Sequence, residues 1–69
     1  MRYGERGCVQ RLTRVLADGR ARPIPQLMDE VSATHYAVKR ALSHLSTVGD
    51  VEITIVAGNW LYSTTRFAG

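Results

Sequence analysis

Between residues 34 and 47 the chain carries Thr34, Tyr36, Lys39, Arg40, Ser43 and Thr47 and no acidic side chain. These groups donate hydrogen bonds or carry positive charge. A guanidinium presents a planar fork of N–H donors that meets a phosphate or the O6/N7 edge of guanine with two bonds, while an ammonium meets either as a point charge. A phenol or hydroxyl donates to a phosphate oxygen, and an aromatic ring also packs on a thymine methyl. On a helical wheel with Val38 at zero, Tyr36, Lys39, Arg40, Ser43 and Thr47 lie opposite the apolar positions Val38, Ala41, Leu42 and Leu45. The segment therefore predicts a helix with one buried stripe and one basic, polar face compatible with phosphates and base edges. His35 and His44 fall on the flanks of that face, where an imidazole meets phosphate or covers the edge of a core.

Other chemistry finds less support. The two histidines are nine positions apart, which does not stack them on one helical side, and Cys8 is the sole cysteine, so neither a metal site nor an internal disulfide is expected. The six carboxylates are scattered, and no glycine-rich loop follows a strand. Cys8 lies on an apolar stripe and reads as a small buried hydrophobe rather than a nucleophile. The expectation is a non-enzyme without a cofactor.

The elements that must position this face can be read from periodicity. Cys8, Val9, Leu12, Val15 and Leu16 recur at helical spacing and leave Arg11 and Arg14 facing away from the core; Asp18 and Gly19 supply the stop. Residues 21–24 contain Pro23, which permits only a brief edge strand or an extended linker. Pro25 suits the first position of a second helix, with Ile24, Leu27, Met28 and Val31 on one side and Asp29 and Glu30 outward. After the break at Ser32 and Ala33, Thr34 caps the third helix, which ends near Val48, Gly49 and Asp50. From Val51 the period changes to two, with Val51, Ile53 and Ile55 alternating with Glu52 and Thr54. Gly58 and Asn59 read as a two-residue turn with glycine first, which sets Ile55 opposite Tyr62 and Val56 opposite Leu61. Residues 1–7 read as a flexible arm, 8–65 as the folded domain and 66–69 as a tail.

Composition agrees with one compact domain. Hydrophobic residues make up 45% and charged residues 22% of 69 residues, and a chain of this length buries only about 60% of its unfolded surface, so its core is small. Eight arginines and one lysine against six acids give a formal net charge of +3, which leans toward an anionic partner. No apolar run approaches the ~20 residues that cross a bilayer and the N-terminus lacks a secretory pattern, so no membrane association and a cytoplasmic location are expected.

The order helix, extended piece, helix, tight turn, helix and hairpin resembles the winged helix-turn-helix family over nearly the whole chain. PQLMDEV, residues 25–31, is similar to that family's second helix, THYAVKRALSHL, residues 34–45, to its third, and VGDVEITIVAGNWLYST to its wing. The resemblance implies an α+β fold of three helices and a hairpin wing, with the third helix in the major groove of double-stranded DNA and the wing along the backbone or minor groove. It also implies a role in transcription regulation, or in phage or plasmid recombination or replication. Thr34, His35, Tyr36, Lys39, Arg40, Ser43 and His44 then become the expected DNA-binding residues, joined at the wing tip by Asn59. Trp60 after the wing turn resembles the winged domains that bind left-handed nucleic acid. Lys39 and Ser43, however, stand where those have Asn and Tyr, and Gly58 and Asn59 where they have paired prolines, so that specialisation is not carried over. A lone module of this size covers limited DNA, so a homodimer on a two-fold site or a neighbouring DNA-bound protein is expected. No dedicated dimerisation helix is visible, which leaves residues 1–7 or the tail after Arg66 to help. The alternative is a winged-helix protein interaction module without DNA binding, using the third-helix face or Trp60.

Overall fold

A computed structural model describes residues 5–66. Three helices, α1 (Glu5–Leu16), α2 (Ile24–Val31) and α3 (His35–Thr47), precede an antiparallel hairpin of β1 (Val51–Val56) and β2 (Asn59–Thr64). This is the α+β layout of a small winged helix-turn-helix domain, as expected. Of the expected N-terminal arm, residues 1–4 lie outside the described residues, whereas residues 5–7 are already helical. The apolar stripe marks where α1 begins to pack and not where it begins to coil. Residues 67–69 of the expected tail also lie outside, and Arg66 is tied to Asp50, Nε to Oδ1 at 2.9 Å.

The helical stripes meet in one core. Leu12 and Leu16 of α1, Leu27 and Val31 of α2, and Val38, Ala41, Leu42 and Leu45 of α3 are buried together with Cys8, Val51 and Tyr62. Local signals set the ends of these helices. Thr34 Oγ1 accepts a hydrogen bond from the Ala37 N–H at 3.2 Å, satisfying a first-turn donor. At the far end, Asp50 N–H donates to Leu45 O and Gly49 N–H to Ser46 O, with Gly49 at φ +84°, a left-handed closure that suits glycine. Between α2 and α3 the turn is made by Ser32 at φ +54°, whose N–H closes on Met28 O.

The short piece around Pro23 is an extended edge. Arg22 exchanges backbone hydrogen bonds with Tyr62, N–H to O at 3.0 Å and O to N–H at 2.8 Å, and so lays one residue of a third strand beside β2. Its side chain is buried, at 9% exposure. The guanidinium donates to both Asp18 oxygens, Nη1 to Oδ1 at 3.0 Å and Nη2 to Oδ2 at 2.6 Å, and to Val15 O at 3.1 Å. Its Nε lies 3.0 Å from Glu30 Oε1, close enough for charge attraction but too poorly aligned for a hydrogen bond. Arg22 thus pins the linker to the end of α1 and to α2.

This cluster has a pH consequence. The hydrogen bonds from Arg22, and then from the Arg20 N–H, hold the Asp18 carboxyl at about 2, below its ordinary 3.8. A carboxyl depressed in the folded state stabilises the fold above its unfolded value of about 3.9, and that contribution is lost as the pH falls toward 2. The urea midpoint of the parent is therefore expected to fall more steeply from pH 4 to pH 2 than that of Asp18→Asn. Parallel pH profiles would show that the pair contributes nothing.

The hairpin differs from the sequence expectation. Ala57 at φ +51° and Gly58 at φ +81° form the turn, so glycine takes its second position and both residues are left-handed, as in a type I′ turn. Ile55 therefore pairs with Trp60 and Ile53 with Tyr62, in place of Ile55 with Tyr62, and Thr54 rather than Val56 pairs with Leu61. Only the base of the wing packs on the helices. Val51 and Tyr62 are buried, whereas Ile53, Ile55 and Trp60 remain 41%, 58% and 54% exposed.

Candidate nucleic-acid interface

The position of α3 follows from its own stripe. Burial of Val38, Ala41, Leu42 and Leu45 against α1, α2 and the base of the wing turns the opposite side outward. Tyr36, Lys39, Arg40, Ser43 and His44 line one shallow, open depression on that side. Tyr36 is 69% exposed, and Lys39, Arg40, Ser43 and His44 are exposed as well. Arg40 Nη1 donates to Tyr36 Oη at 3.1 Å, and its guanidinium lies 5.7 Å from the centre of the Tyr36 ring. One turn apart on the helix, the two side chains hold each other over the centre of the face. A planar cation beside a phenol offers two bonds to a base edge and a further donor to phosphate.

The remaining expected residues are not all gathered there. Thr34 and His35 are exposed at the N-terminus of α3, and the Thr34 hydroxyl, though it accepts from Ala37 N–H, keeps its own proton to donate. Asn59 pairs with Val56 at the exposed end of the wing and lines neither this depression nor the groove beside it. That groove runs between α3 and the wing and is bordered by Lys39, Ser43, Ser46, Thr47, Ile53 and Tyr62. Ser46 was not among the expected residues. Its spacing of three from Ser43 and seven from Lys39 was the available signal.

The arginines divide into structural and exposed groups in a way that counting charge does not show. Arg22 is consumed inside the fold and Arg66 is paired with Asp50. Arg11, expected to face away from the core, is half-buried and donates from Nη1 to Val31 O at 2.6 Å, satisfying the last carbonyl of α2. Arg14 faces outward as expected. Cys8 is buried, and burial pushes its thiol up from the ordinary value against a smaller opposing pull from Arg11. Such a thiol is a poor nucleophile. Among the described residues no three of His, Cys, Asp and Glu come together as a metal site, and no helix is long and apolar enough to cross a membrane.

Fold and face together give three helices and a hairpin in a winged helix-turn-helix layout, with an acid-free, cationic third helix. The chain matches no family model, no curated protein and no solved structure.

Proposed function

We propose that the protein is a member of the winged helix-turn-helix family that binds double-stranded DNA with sequence preference through α3. It would act as a small transcriptional regulator, or as an accessory factor in phage or plasmid recombination or replication, within the cytoplasm and without catalysis. The observation that carries this reading is the clustering of Tyr36, Lys39, Arg40, Ser43 and His44 on one exposed face of a helix that has no acidic residue. Cations on such a face release counterions from phosphates, and the Arg40 fork suits a guanine edge. Thr34 and His35 lie where the first turn of an inserted helix meets the backbone.

A second reading, a protein interaction module, draws on the exposure of Trp60 and Ile55 on the wing. A mobility-shift titration on mixed duplex DNA over a salt series separates the two, because phosphate binding weakens with salt by a slope of about 0.9 per phosphate neutralised. The parent is expected to bind with such a slope, and Lys39→Ala with Arg40→Ala to flatten it by about two such contacts. Asn59→Ala, which removes no charge, is expected to leave the slope nearly unchanged. Absence of binding at low salt would rule out the DNA reading, and a larger loss of slope in the wing variant would move the phosphate-contacting surface off α3.

A further inference from the structure

The wing has one strand edge, that of β1, with which no strand among the described residues pairs. Asp50 O accepts from Thr65 N–H across the hairpin, whereas both backbone groups of Tyr62, opposite Ile53, turn the other way to Arg22. Antiparallel pairs alternate, so Glu52, Thr54 and Val56 point their backbone groups into the hairpin, and those of Ile53 and Ile55 point out from the free edge of β1. The side chains of the same two residues share one face with Trp60 and Tyr62.

We propose that a second copy of this chain pairs with β1 along this edge, antiparallel about a two-fold axis at Thr54, to give a four-stranded sheet across the dimer. This register sets Ile53 opposite the second copy's Ile55 and Ile55 opposite its Ile53. Each pair exchanges two backbone hydrogen bonds, so all the outward groups of both residues are satisfied. On one face Trp60 and Ile55 continue into the second copy's Ile53 and Tyr62, extending the apolar row that starts in each core. On the other face Thr54 meets Thr54, and Glu52, the only charge of β1, meets Val56, so no like charges oppose each other. A self-complementary edge of this kind closes on itself instead of propagating: β1 is used up, and Arg22 already sits beside β2. The sheet face shared by Ile53 and Tyr62 borders the α3 groove, and an axis perpendicular to the sheet keeps that face on the same side in both copies. Both α3 surfaces then lie on one side of the dimer, the arrangement a two-fold DNA site requires.

Cross-linking tests the pairing without DNA. Directly opposed residues of a non-hydrogen-bonded pair have Cα atoms about 4.5 Å apart, within disulfide range, so Thr54→Cys is expected to form a dimer under mild oxidation. The parent, whose Cys8 is buried, is expected to form none. Glu52→Cys and Val56→Cys, displaced from the axis, are expected to cross-link far less, and adding Ile55→Glu to Thr54→Cys to abolish the dimer while the circular dichroism of the monomer is retained. No dimer with Thr54→Cys, or equal yields at the three positions, overturns the proposal. So does persistence of the dimer with Ile55→Glu, or a parent edge already protected from amide exchange in the monomer by another segment of its own chain. The dimer does not depend on the DNA reading: cross-linking at Thr54 without any DNA binding would leave it standing and remove the other.

Discussion

Leu42→Ala is expected to leave the domain largely unfolded at 37 °C. Leu42 is 2% exposed in the middle of α3, between the helical core and the base of the wing. Truncating a buried leucine costs about 2 to 5 kcal/mol, from lost transfer energy and from the cavity left where neighbours cannot collapse. A single small core without disulfide or metal rarely supplies more than about 3 to 5 kcal/mol, so the loss is comparable with the whole reserve. Ser43→Ala, one residue along on the exposed side, is the control and is expected to stay within about 0.5 kcal/mol of the parent. Thermal melts followed by circular dichroism compare them; a Leu42→Ala midpoint near the parent's would mean that α3 is not anchored through this stripe.

Arg40→Ala is expected to weaken binding to a selected DNA site by about 1 to 3 kcal/mol, a loss of about five- to 150-fold, and to relax preference at one base position. The expectation rests on the central place of Arg40 on the α3 face and on its contact with Tyr36, which orients the guanidinium beside the phenol. Arg40→Lys is the sharper comparison. It keeps the charge but not the fork, so it should retain most of the salt dependence while losing base preference. Site selection followed by titration reads both quantities, and an Arg40→Ala variant with unchanged affinity and preference would remove Arg40 from the reading role.

Much of the scaffold of this candidate interface was legible because it is written in local patterns. The Thr34 cap, the stripe of α3 and the Gly49 closure each depend on residues within a turn or two of one another, and each lies where the residue types require. The outward placement of Tyr36, Lys39, Arg40, Ser43 and His44 follows from the same stripe, since burying one side of a helix fixes the other. Asn59 was drawn into the expected site by its place at the wing turn, but it stands in β2 because the turn falls one residue earlier.

By itself, then, the sequence determined the order and type of the elements and the basic face of α3, because the periods of 3.6 and 2 and the capping residues act over short distances along the chain. Tertiary structure alone decided the rest. The hairpin register belongs there, since moving the partner by two residues keeps every side chain on the same face, and alternation cannot distinguish the two pairings; the left-handed Ala57 and Gly58 turn and the tie of Tyr62 to Arg22 select one. The fate of the arginines belongs there too. Arg22 is tied through its backbone to Tyr62, and Arg11 closes the end of α2, partners that only folding brings near. Finally, the pattern of β1 says which residues share a face and nothing about what covers that face, so only the packed chain reveals that the wing leaves the helices after Val51 and carries Ile53, Ile55 and Trp60 into the open.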